Sequence, residues 1–118
     1  DKEPLTPEDI KSKPLILSRQ MYKSDDIPNL LQTEERDLHV TGTYNLLYNG
    51  SIMVEKGMGY AICYDKIINT SGNNLLKFTP LAVDSYPSPI IVWKKYQVFS
   101  KASQKFKEEL MRRFSTDK

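Results

Sequence analysis

A chain of 118 residues, 39% apolar and 27% charged, has the composition of an ordinary globular domain and enough length to bury one core. No run approaches the roughly 18 apolar residues that a membrane-spanning helix needs, and no signal peptide is visible. The formal charge of +2 is spread along the sequence, and the densest basic stretch, residues 99–114, is interrupted by glutamates, unlike a stripe built to follow phosphates. The single Cys63 excludes an internal disulfide and any CxxC metal site. It lies in the apolar run Tyr60-Ala61-Ile62-Cys63-Tyr64 and reads as a buried, inert thiol. Opening on Asp1-Lys2-Glu3-Pro4, the chain is expected to belong to something longer.

In chain order, Thr6 followed by Pro7 and two acids predicts a short helix with Thr6 as its N-cap. Residues 14–18 form a compact apolar run fit for a buried strand. Ser24, Asp25 and Asp26 then open a second helix, with Pro28 in its first turn, where a missing N–H costs little. Residues 37–42 are the next strand candidate. Asn49-Gly50 is a strong hairpin signal when alternating apolar residues flank it, but Leu46-Leu47 and Ile52-Met53-Val54 do not alternate. Leu46, Leu47, Gly50, Met53, Val54 and Gly57 fall instead at helical spacing, with Gly57 as the C-terminal cap. The segment therefore predicts a helix, although Gly50 costs about 1 kcal/mol relative to alanine.

Residues 59–64 read as a third strand, 65–69 as a short helix, and Asn74-Leu75-Leu76-Lys77-Phe78-Thr79-Pro80-Leu81 as a fourth strand after turn residues. Pro87 and Pro89 mark a stiff connector. Pro89 to Lys95 is a fifth strand, and residues 100–114 the clearest helix, with Ala102, Phe106, Leu110, Met111 and Phe114 as its apolar stripe. Glu108 to Arg112 and Glu109 to Arg113 are the expected ion pairs on its outer face. The alternation of helices with short apolar strands predicts an α/β fold: a mostly parallel five-stranded sheet with helices on both faces.

A dinucleotide or phosphate loop follows a strand and opens a helix. Gly57 and Gly59 stand in the reverse order, at the negative end of a helix, so they read as a cap and a close-packing position. The carboxyl ends of parallel strands are the better place for a ligand. Ser18, Arg19 and Gln20 follow the first strand; Thr41, Thr43, Tyr44 and Asn45 follow the second, where the long helix begins. Hydroxyls, an amide and free N–H groups there suit a small anion such as a carboxylate or sulfate. The alternative is that Thr43 or Asn45 is only a helix cap. His39 stands alone in a strand and reads as structural. No GxSxG elbow and no Cys/His pair with an obvious orienter is present. Two glycosylation sequons, at Asn49 and Asn69, have meaning only in a glycosylating compartment.

The series of pieces resembles the effector-binding domain of LysR-type transcriptional regulators. Residues 5–17 resemble that family's entry to its second subdomain, residues 52–67 its helix, glycine pair and apolar strand, and residues 73–81 and 88–95 its next two strands. Residues 99–114 resemble the closing helix. Asp65 departs from the proline that the family often has after this strand, leaving the local turn open. The resemblance implies a fold similar to the type II periplasmic binding proteins, two α/β subdomains with a small effector in the cleft between them. Residues 1–83 would be the second subdomain, and residues 84–118 the return crossover and last helix, which in the family pack on the first subdomain. The implied effector contacts are Ser18, Arg19, Gln20, Thr41, Thr43 and Tyr44, with Tyr86 brought near by the crossover. The resemblance further implies a non-enzymatic, cytoplasmic, homo-oligomeric bacterial protein without cofactor or metal. Its DNA contact would be made only through a helix-turn-helix domain outside these residues. The rival readings are a solute-binding protein of a transporter and a small α/β enzyme lobe.

Overall fold

The computed structural model describes residues 3–72, 75–85 and 87–115. The protein divides into two compact units, residues 1–87 and residues 88–118. The elements of the first unit are α1 (Pro7–Lys11), β1 (Leu15–Ser18), α2 (Arg19–Tyr22), α3 (Asp26–Leu31), β2 (Val40–Tyr44), α4 (Leu47–Glu55) and β3 (Tyr60–Ala61), with a 3-10 turn at Glu35–Asp37. The second unit contains α5 (Lys101–Phe114).

α1 begins as its sequence dictates. The Thr6 hydroxyl accepts from the Asp9 amide, and the Asp9 carboxylate accepts from the Thr6 amide at 2.8 Å, so each end of the first turn satisfies the other. Ile10 on the buried side of α1 then joins Leu15, Leu17, Ile27 and Leu31 in the core. β1 lies in the middle of a parallel sheet of order β2-β1-β3. Leu15, Ile16 and Leu17 have no exposed surface, as expected of a parallel strand covered on both faces. Successive residues of a strand alternate between faces. Leu15 and Leu17 enter the core with α1 and α3, while Ile16 pairs with Gly42 on the opposite face, where Gly42 lies against Met53 of α4.

α4 forms in spite of its Asn-Gly pair, and its end is a Schellman motif. The amide of Gly57 donates to Val54 O at 2.9 Å and that of Met58 to Met53 O at 3.1 Å, with Gly57 at φ +77°. Gly59 then brings the backbone against β1, where a Cβ would stand 2.5 Å from the Pro14 carbonyl oxygen and the Tyr60 amide donates to that oxygen at 2.9 Å. Both glycines are accounted for by backbone geometry, and neither faces a ligand position at a helix start.

Among the described residues the five-stranded sheet is not formed, and the sheet has three strands; Asn74, at the start of the expected fourth strand, lies outside the described residues. The first reason is competition for partners. Leu5 donates to Pro80 O at 2.9 Å and accepts from Ala82 N at 2.7 Å, so Leu81 makes one isolated parallel bridge with Leu5 instead of extending the sheet. Pro80 also brings no N–H to a ladder. The second reason is that an apolar run records a need for burial without naming its neighbour. Residues 89–95 have the composition of a buried strand but form none, and Ile90 and Val92 stay about four-fifths exposed (81% and 79%). The short helix expected at 65–69 is a turn, with Lys66 at φ 64°, a left-handed conformation that no right-handed helix continues. β2 starts later than expected, at Val40, because Glu35–Asp37 wind into the 3-10 turn; His39 is exposed and lies before the strand. α2, unforeseen in the sequence, occupies the residues directly after β1.

α5 in the second unit is opened by Ser100, whose hydroxyl accepts from the Ser103 amide at 3.1 Å. Glu109 binds Arg113 as expected, but it also takes Arg112 at 2.6 Å; Glu108 meets Gln104 and Lys105 instead. The Lys107 ammonium lies 4.8 Å from the Trp93 ring centroid and 4.7 Å from that of Phe99, a cation–π pairing that holds the apolar run to its helix.

Gly50 provides the test of this packing. A Cβ there would lie 2.8 Å from Cδ1 and 3.0 Å from Cγ of the Tyr44 ring. Alanine gains about 1 kcal/mol of helix propensity but overpacks a filled contact, which costs about 1–3 kcal/mol. Gly50→Ala is therefore expected to lower the unfolding free energy by roughly 1 kcal/mol net, read as a lower urea midpoint; a raised midpoint would refute the ring contact.

Candidate functional site

The parallel pairing sets the carboxyl ends of β1 and β2 side by side, with Leu17 opposite Thr43 and Ser18 opposite Tyr44. The pleat divides these pairs: Thr43 shares its face with Leu17, and Ser18 shares the other face with Tyr44. Ser18 is half-buried and stands at the N-cap position of α2, where its hydroxyl makes no capping bond. Arg19 and Gln20 are exposed on α2, and Arg19 has no ion-pair partner among the described residues. Asn45 is exposed in the link between β2 and α4. Neither Thr43 nor Asn45 caps that helix. Leu46 holds the N-cap position, and no side chain accepts from the first turn. A nine-residue helix thus starts beside two strand ends with no side-chain cap. Its Asn49 amide turns back to Leu46 O, and the Leu47 and Tyr48 amides precede it at the positive end of the backbone dipole, which favours an anion.

Two of the residues at these strands are committed to the fold. Thr41 is the extra residue of a bulge opposite the Leu15/Ile16 step, near the amino end of the sheet. Its hydroxyl lies 3.2 Å from Leu15 O and 2.9 Å from Met58 O, so it ties β2 to the approach of β3 and stands apart from Ser18 and Asn45. Tyr44 is buried, and its hydroxyl donates to Ile62 O at 2.8 Å. Since β1 lies between β2 and β3, that bond spans the sheet. Its ring rests on Gly50 of α4. Burial, and then the charge of the Cys63 thiolate, push the Tyr44 phenol up to about 12. Cys63 itself is half-buried, and burial followed by the Asp65 carboxylate raises its thiol, which keeps it in the unreactive protonated form. Tyr86 lies outside the described residues.

The sequence reading missed Gly50 as the seat of the Tyr44 ring. The signal was present: an isolated glycine inside a helical pattern points to a close neighbour. Surface depressions of about 450 Å³, beside Asn29, Gln32 and Glu34, and about 240 Å³, beside Thr6, Lys11 and Ala82, lie away from the strand ends. Among the described residues no cluster of His, Cys, Asp or Glu could hold a metal, and no helix is long and apolar enough to cross a membrane. Comparisons with protein families, with curated proteins and with solved structures found no match.

Tyr44 titrates with a clear sign. Its folded-state value lies above the ordinary 10, so the folded protein holds this proton more tightly than the unfolded one. The contribution is whole below pH 10 and is lost as the pH rises through about 12. Alkaline titration of phenolate absorbance should show one late tyrosine that is missing in Tyr44→Phe. That variant should also lose about 1 kcal/mol of stability with the hydrogen bond.

Proposed function

We propose that this protein is part of the effector-sensing domain of a LysR-type transcriptional regulator. It would bind a small anionic metabolite and carry no catalysis. Two things support the reading: the ordered series of family-like segments along the sequence, and the uncapped start of α4 beside the ends of β1 and β2. The second carries it. Half-buried Ser18 lies on the face of the sheet that α4 covers, and half-buried Thr43 reaches the strand ends from the opposite face. Ser18 and the Arg19 guanidinium, nearby in sequence, add a hydroxyl and positive charge beside the uncapped helix start. Those are the means by which proteins hold a carboxylate or sulfate. Gln20 and Asn45 supply amides that discriminate among anions. Tyr44 acts from behind, by fixing β2 against α4 and β3.

In this reading the site is one wall of a cleft whose other wall belongs to a longer protein. An effector that touches both walls favours the closed arrangement by the difference of its affinities for the two states. That difference would reach DNA through a helix-turn-helix domain outside these residues, in a cytoplasmic homo-oligomer. No metal or cofactor has a part in it.

A thermal-shift screen of small carboxylates and sulfate, run on the longer protein and on these 118 residues, tests the site. A ligand at about a hundred times its dissociation constant stabilises by about 2.7 kcal/mol, which reads as a rise of several degrees. Replacing Ser18, Gln20 and Thr43 together by alanine should abolish the rise. A stabilisation that survives the triple substitution would put the pocket elsewhere, and turnover of the ligand would replace sensing by catalysis.

A further inference from the structure

The Asn49-Gly50 pair, left over once the hairpin is excluded, has a chemistry of its own. An asparagine followed by glycine is prone to ring closure, because no Cβ shields the following amide nitrogen. That nitrogen, after giving its proton to water or hydroxide, attacks Cγ of the asparagine. A bond forms between backbone nitrogen and Cγ, the departing Nδ2 takes up a proton from water, the bond from Cγ to Nδ2 breaks, and ammonia leaves. Water then opens the succinimide at either carbonyl, giving aspartate or isoaspartate, with the net exchange of one ammonia for one water.

The folded structure stands against the ring closure. Asn49 is exposed, so water reaches its amide. It lies in the first turn of α4, however, where Leu46 O accepts from the amide of Asn49 at 3.0 Å and from that of Gly50 at 3.3 Å. The attacking nitrogen is therefore engaged. A helical residue also has ψ near about −42°, and closing the ring requires a large rotation about that bond. Gly50 cannot follow such a rotation, because it is buried with its α-carbon against the Tyr44 ring.

We propose that Asn49 is a conformation-gated deamidation site, protected while α4 is folded and converted when α4 opens. The product is worse than a new charge. Isoaspartate adds a backbone atom at position 49, shifts the register of the helix behind it, and carries Gly50 off the Tyr44 ring. A transient opening of α4 is thereby recorded as a permanent defect, whatever the site binds.

The test uses the unaltered protein in mildly alkaline buffer, with and without denaturing urea. Isoaspartate-specific methylation and peptide fragmentation follow each asparagine. In urea, position 49 should convert ahead of Asn29, Asn45 and Asn69, and at least about tenfold faster than in the native protein, since the folded helix must open before it reacts. Equal rates in the two buffers would overturn the gate, and faster conversion at another of these asparagines in urea would overturn the site. Converted protein returned to native buffer should melt earlier than unconverted protein; an unchanged melt would overturn the claim that the helix is disrupted.

Discussion

The first unit is organised by one demand: β1 must give up all its water while keeping its hydrogen bonds. Buried backbone groups without partners are costly, so a strand with Leu15, Ile16 and Leu17 wholly inside needs a neighbour on each edge and a cover on each face. β2 and β3 supply the edges. α1 and α3 supply one face, and α4 the other. The remaining local features follow from bringing these pieces close. Gly42 makes room for Met53, Gly59 lets β3 approach the Pro14 carbonyl, and Gly50 accepts the Tyr44 ring. The small residues sit where helix and strand meet the sheet most closely.

Tyr44 joins that packing to the proposed site. It belongs to the strand whose end carries Thr43, touches the helix whose open start would hold the anion, and hydrogen-bonds to the residue that follows the third strand. A group so placed contributes by holding other groups still, and burial of its phenol is the energetic trace of that role. Thr41 does the same near the opposite end of the sheet, where one hydroxyl lies within reach of two carbonyls. Polar residues of strands thus divide into those turned toward backbone acceptors and those left open. Here the division falls between neighbours in sequence.

Much of the fold could be read from local chemistry. The Thr6 cap, the helical spacing across Asn49-Gly50 and the Gly57 terminus depend on residues a few positions apart, and all three formed. The turn at Lys66 and the short α2 were local surprises, but the failures of the sheet were non-local. Residues 89–95 look like a buried strand because they need burial, yet among the described residues of their unit no neighbouring strand receives them. Leu81 found Leu5, far away in sequence, in preference to the sheet. At the site, the strand ends could be located from the order of elements, because parallel strands put their carboxyl ends on one edge. The bulge that removes Thr41 and the bond that occupies Tyr44 could not, since both depend on register.

The contact of Lys107 with Trp93 has a practical bearing on how the two units can be told apart. Trp93 is the protein's sole tryptophan and lies in the second unit, against the ring-facing ammonium. Indole emission therefore originates in the second unit, while far-ultraviolet dichroism sums the sheet and four helices of the first unit with α5 of the second. Melting curves recorded by the two signals would superimpose if the units unfold as one cooperative body and would separate if they do not. The protein thus has a built-in optical label for the unit whose apolar run found no strand to join.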